Sequence, residues 1–83
     1  MVFYMAPKIV CIYVPLLDEG VPVIRPTSGE KLGDDLFRVL PTENYNPAIE
    51  TWAFPPDTIV KCVKEVWEGS EVLVAKEQYS EIL

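Results

Sequence analysis

The side chains of this 83-residue chain that could do chemistry are two acidic pairs, two cysteines, and a few arginines and aromatics. Asp18-Glu19 and Asp34-Asp35 offer carboxylates, and acid–base work needs only two whose pKa values are pushed apart. Each pair falls among turn residues, where sequence neighbours point apart into water. They read as solvated turns, with a divalent cation held by oxygen ligands as the sharper alternative. The spacing of an EF-hand calcium loop is absent. Cys11 and Cys62 lie within aliphatic runs, whereas a reactive thiol needs an electropositive, partly exposed setting. Both are expected to be buried and to behave as small hydrophobes.

The chain contains no histidine. That removes the commonest base near neutral pH, the Ser–His and Cys–His nucleophile arrangements, and the usual zinc ligand sets. Its four glycines never form a phosphate-cradling cluster. No catalytic residue, metal ligand or cofactor-binding residue is assigned, no cofactor is expected, and the chain reads as a non-enzyme.

Binding chemistry is better represented. Arg25 and Arg38 interrupt apolar strands, either paired with acids on an outer face or serving as interface anchors. Trp52 and Phe54 are expected to fill the core, with surface placement as the alternative. Tyr45 lies in a loop rich in Asn and Pro, and Trp67 abuts the polar Glu68-Gly69-Ser70 turn, so both are expected to be exposed. Arg25, Arg38, Tyr45 and Trp67 form the candidate partner surface.

The elements that must position these residues read as short strands. Residues 8–14, Lys-Ile-Val-Cys-Ile-Tyr-Val, are dense in β-branched types and bounded by Pro7 and Pro15. Both faces are apolar: Val10, Ile12 and Val14 on one, Ile9, Cys11 and Tyr13 on the other. Such a strand is covered on both sides. One cover is the interior, and the other must be residues 1–6 or a second subunit. Ile9, Cys11 and Tyr13 are therefore the candidate self-association residues.

Asp18-Glu19-Gly20 predicts a turn. Residues 21–25 predict an extended strand, placed at an edge or bend by Pro22 and Pro26, and residues 27–33 a loop or irregular arm. Further strands are expected over residues 36–40, 48–54, 58–67 and 72–75, with a loop at 42–47 and a tight turn at Glu68-Gly69-Ser70. Glu50, Trp52 and Phe54 should share one face of the fourth strand, and Val60, Cys62 and Val66 one face of the fifth. Residues 76–83 close with a helical turn or fray. No window sustains a 3.6-residue period. The fold class is all-β, a small antiparallel barrel or sandwich of roughly five to six strands.

Length bounds this to one domain, residues 1–83, with its core over roughly residues 8–76. Such a chain buries only about 60–65% of the surface its unfolded form exposes, and two cysteines supply no disulfide framework. Association into a homo-oligomer, a dimer or tetramer, would supply the missing stability. Thirteen acids against seven bases leave a formal charge of −6, which repels phosphate backbones and anionic lipid. The opening apolar stretch does not read as a targeting peptide: no basic residue precedes it, Pro7 and Pro15 interrupt it, and no small-residue cleavage site follows. Its longest apolar run, residues 9–14, falls far short of the roughly 20 residues of a membrane span. A cytoplasmic protein with reduced thiols is expected.

Several segments carry a resemblance. Val14-Pro15-Leu16-Leu17-Asp18-Glu19-Gly20, Val23-Ile24-Arg25-Pro26, Phe37-Arg38-Val39-Leu40, Trp52-Ala53-Phe54-Pro55-Pro56 and Val60-Lys61-Cys62 together resemble a group of small uncharacterised bacterial proteins. Proteins of this kind also occur as mobile gene cassettes. The resemblance spans roughly residues 9–76. It implies a compact β-barrel and transfers neither an activity nor catalytic residues.

Three functions follow from these readings. The first is a non-enzymatic module that self-associates through its first strand and binds an unknown protein through loop aromatics. The second is a small-molecule or peptide pocket lined by Tyr45, Trp52 and an acid, with weak carboxylate chemistry. The third is a nucleic-acid-binding barrel using stacked aromatics, or an acidic mimic of nucleic acid; the negative charge argues against direct binding.

Overall fold

The computed structural model of the chain describes residues 8–79. Its strands are β1 (Ile9–Leu17), β2 (Ile24–Lys31), β3 (Leu36–Val39), β4 (Thr51–Trp52), β5 (Ile59–Trp67) and β6 (Ser70–Gln78). No helix occurs among the described residues, and the all-β class holds. β1 pairs with β2, β2 with β3, β3 with β5 and β5 with β6, all antiparallel. β6 then returns to β1 at Tyr13 and Val74, in parallel. The pairings run in a ring, and β4 is added antiparallel to the far end of β1. The sheet is mixed and not purely antiparallel. An odd number of strands alternating in direction leaves the last running the same way as the first, so closure is parallel.

Alternate residues of each strand meet inside the ring. Ile12, Val14 and Leu16 of β1 pack with Phe37 and Val39 of β3, Val60 and Cys62 of β5, and Ala75 of β6. Trp52 of β4 joins them opposite Leu16. The expected inner face of the first strand is therefore correct.

The expected loop over residues 27–33 is instead mostly strand, since β2 runs to Lys31. Thr27 and Gly29 point inward and are buried, lying opposite Ile12 and Val10. A Cβ on Gly29 would stand 2.8 Å from Cδ1 of Ile12. The inward positions of this polar-looking run are small because Ile12 already fills the space. The Thr27 hydroxyl donates to the Leu40 carbonyl, which offsets its burial.

Other departures have local causes. Residues 48–54 form no full strand; only Thr51 and Trp52 pair with β1. The Asn46 side chain accepts from the Ala48 N–H and its carbonyl accepts from the Ile49 and Glu50 N–H groups, which winds this segment into turns. Val66 shares the face of Val60 and Cys62 but not their burial: it is 71% exposed, because the β5–β6 hairpin runs on past the core. The Trp67–Ser70 pair leaves Glu68-Gly69 as the turn, with φ of 50° and 83°. Two positive φ values fit the type I′ turn that matches strand twist, and Gly69 adopts one at little cost. β6 continues to Gln78, so the expected C-terminal helical turn does not begin at residue 76. Residues 1–7 and 80–83, including the N-terminal cover and the rest of that turn, lie outside the described residues.

The Gly29–Ile12 approach yields a direct expectation. Gly29→Ala should lower stability by about 1–3 kcal/mol in urea unfolding, because the fully buried Ile12 has no room to retreat. Ile12→Val in the same chain should recover part of that loss. An unchanged midpoint for Gly29→Ala would show that the packing here is loose.

Candidate functional site

Side-chain alternation places a second set of residues on the outside of the ring. Tyr13 and Pro15 of β1 face outward beside Ile24 of β2, Val72 and Val74 of β6, and Glu65 and Trp67 of β5. Val74 is only 1% exposed although it is not part of the inner cluster. The outer face thus has an apolar floor of its own. Two hairpin ends frame it: the connection from β1 to β2, and the Glu68-Gly69 turn. Between them lie adjoining hollows of about 430 Å³ and 180 Å³ that share Pro22, Val23, Ile24 and Trp67 as walls. Tyr13 and Val72 line the larger, Pro15 and Val74 the smaller.

The Trp67 indole is held in place. Its Nε1–H donates to Glu65 Oε1 at 2.8 Å, and the other Glu65 oxygen pairs with the Lys76 ammonium. Lys76 and Trp67 together hold the Glu65 carboxyl below the usual glutamate range. Lys76 reaches this position from a bulge, since the β5–β6 register shifts and leaves it as the extra residue.

The same arrangement recurs at Trp52. Its Nε1–H donates to Glu50 Oε1 at 2.8 Å. Glu50 also takes Arg25 in a two-pronged grip, with Nε to Oε1 at 3.1 Å and Nη2 to Oε2 at 2.8 Å. Hydrogen bonds from Arg25 and Trp52 hold the Glu50 carboxyl below its usual range, and Glu50 in turn raises the Arg25 pKa. Glu50-Thr51-Trp52 and Glu65-Val66-Trp67 are therefore one device used twice. Residues two apart on an extended chain share a side, and a cation fixes each glutamate. Trp52 is buried in the core, while Trp67 is half-buried at the surface.

The candidate residues are dispersed. Of the self-association set, Tyr13 lies in the groove, whereas Ile9 and Cys11 are exposed nearer the start of β1. Cys11 is thus not buried as expected. It projects from the outer face of β1, whose cover within the fold begins only at Tyr13. Arg25 is committed to Glu50, and Arg38 to Glu30 at 3.2 Å. Tyr45 is not an exposed loop aromatic: it packs edge-to-face on Trp52, with ring centroids 4.6 Å apart, and is half-buried against the core. Phe54 also packs half-buried on the core cluster. Of the candidate partner surface, only Trp67 joins Tyr13 in the groove. Pro22, Val23, Ile24, Val72 and Val74 went unassigned in the sequence, although the repeated Glu-x-Trp pattern was a usable signal for Trp67.

The chemical alternatives gain little from this geometry. Tyr45 and Trp52 pack on each other, and the hollow nearby is lined by the mutually paired Arg25 and Glu50. Among the described residues, no three acidic or cysteine side chains come together to hold a metal ion. Burial, with a smaller push from Asp35, raises the Cys62 thiol to about 11, so it stays neutral and unreactive at physiological pH.

Two expectations follow. Alkylation of the native protein should modify Cys11 alone, with Cys62 reacting only after unfolding; equal modification of both would contradict the burial of Cys62. Glu50 and Glu65 titrate below their ordinary value of 4.5 when folded. Their contribution to stability is complete above that pH and is lost as pH falls through the lowered values. Thermal unfolding followed from about pH 6 to 2 should show this loss, and Glu50→Gln should flatten it.

No protein-family model matches the chain, and searches of curated proteins and of solved structures return no match. The chemistry of the groove is carried by its own residues.

Proposed function

We propose that this chain is a non-enzymatic protein-binding module acting through the outer groove between Tyr13 and Trp67. The observation that carries the reading is a surface tryptophan locked by Glu65 and Lys76 beside a half-buried tyrosine, over an apolar floor. Rigid aromatics with a polar edge are the side chains that anchor protein interfaces. The hollows are open along the surface. They suit an occupant that keeps one side in water, whereas a small molecule needs most of its surface enclosed. The missing histidine, the neutral Cys62 thiol and the two committed arginines support a role without catalysis. A net charge of −6 disfavours a nucleic-acid partner.

The two cysteines are free, which supports a cytoplasmic setting. No helix of the described residues is long and apolar enough to cross a membrane. The resemblance to small bacterial proteins belongs to the same proposal and adds no activity.

A second copy of the chain is the alternative occupant. It is favoured by the exposure of Ile9 and Cys11, which extends the apolar outer face of β1 away from the groove. Affinity capture from cell lysate, run in parallel with light scattering, separates the two. Proteins retained by the wild type and lost with Trp67→Ala are expected for the groove reading, and identical retention by both would overturn it. A mass that doubles with concentration and reverts to monomer in Ile9→Asp would establish the second-copy reading.

A further inference from the structure

We infer that the groove takes an extended, proline-containing peptide segment that carries a basic residue. This rests on the binding reading above and specifies its ligand.

Shape is the first argument. Two hollows adjoin and share Pro22, Val23, Ile24 and Trp67, so an extended occupant lying along the groove meets both at short spacing. A polyproline II helix repeats every three residues, about 9 Å along its axis, with its backbone left to water. Two prolines on one side of such a segment would meet neighbouring hollows. The segment is already extended before it binds, so little ordering entropy is lost on flat aromatic walls.

Charge is the second argument. Glu68 lines the larger hollow, and Asp18 and Glu19 belong to the hairpin end that supplies Pro22 and Val23. All three acids are exposed and none forms an ion pair among the described residues, although Glu19 also acts on Arg25 through its charge; Glu68 is the one that lines the hollow. Lys76, the cation lining the smaller hollow, is already taken by Glu65. The groove therefore presents an apolar floor beside the unpaired Glu68, complementary to a segment with a lysine or arginine beside its prolines. A second copy fits this face poorly. It would bring the same acids, and another net charge of −6, against their like.

The test uses the full chain, labelled with ¹⁵N, and synthetic peptides of about ten residues. One peptide carries two prolines three residues apart with a flanking arginine; a second replaces the arginine with glutamate; a third replaces the prolines with glycine; a fourth is a basic amphipathic helix former. The first is expected to shift the amide of Tyr13 and the indole of Trp67, with an affinity that weakens as salt is added. Trp67→Ala should weaken that binding about tenfold or more. Glu68→Lys, an exposed change that leaves the indole in place, should weaken the arginine peptide and strengthen the glutamate one. Val66→Ser, on the opposite face of the hairpin, should leave both unchanged.

Equal binding of the proline and glycine peptides would overturn the proline assignment, as would binding of the helical peptide alone; either leaves the binding-module reading standing. Groove shifts that depend on protein concentration without any peptide would overturn it in favour of a second copy. Silence of Tyr13 and Trp67 toward every peptide, with no change on concentration, would overturn both this inference and the reading on which it rests.

Discussion

The meeting of β6 with β1, where Tyr13 stands opposite Val74, is the contact on which both the core and the groove depend. Only the Tyr13–Val74 pair is in ladder register there, although the two strands lie side by side over more of their length; β1 and β2 share seven such pairs. Parallel pairing is also slightly weaker per residue than antiparallel pairing. Side chains on the two faces must therefore hold the ring shut. Val74 and Ala75 are adjacent in sequence and both are buried, one beneath the outer floor and the other within the inner cluster. Burying a valine side chain contributes roughly 1.5–3 kcal/mol, a large increment for a domain of this size. The outer floor is thus part of what keeps the molecule folded, and the groove above it is part of the fold itself.

Two tryptophans show how one local device serves two ends. Each indole N–H is satisfied by the glutamate two residues earlier, and each glutamate is held by a cation from another part of the fold. At Trp52 the device satisfies a polar atom that the core would otherwise strand, which is the costly case. At Trp67 water could have done the same, so the hydrogen bond serves chiefly to orient the ring. Orienting a surface aromatic in advance lowers the entropy lost when it is later covered. The arrangement commits Arg25 and Lys76 to internal pairs and leaves Glu68, which lines the larger hollow, exposed and without an ion pair among the described residues.

Both halves of the outer face are reached by opposite routes. The groove end is shaped by Pro22, Val23 and Ile24 from one hairpin and Trp67 from another, so it has walls. The Ile9–Cys11 end borders a hollow of about 460 Å³ lined also by Pro26, Thr27 and Pro41, with no aromatic wall. Aromatics fixed in place add shape and a polar edge, whereas a hollow without them offers chiefly area. That difference is why the aromatic end carries the proposed recognition.

Much of the chain's behaviour was determined locally. The β-branched runs and Glu-Gly turn specified an all-β chain, the inward set Val10, Ile12 and Val14, and the β5–β6 hairpin. These depend on alternation and turn geometry, which act over a few residues and are written in the order of side chains. The prolines were poorer guides, since β1 runs through Pro15 to Leu17 and β2 carries Pro26 while paired on both sides. The strand at residues 27–31 stayed hidden because its inward positions, Thr27 and Gly29, are small, and they are small only because Ile12 occupies the space opposite. Tyr45 and Cys11 exchanged their expected places for the same kind of reason: what covers a side chain is decided by the element folded against it. Tyr13 and Trp67 meet only because an odd number of alternating strands brings the last back parallel to the first. Sequence alone determined the class, the acidic charge and the absence of histidine, all properties of composition and local pattern. Which aromatics share a groove was left to tertiary closure, since that depends on contacts between residues far apart in the chain.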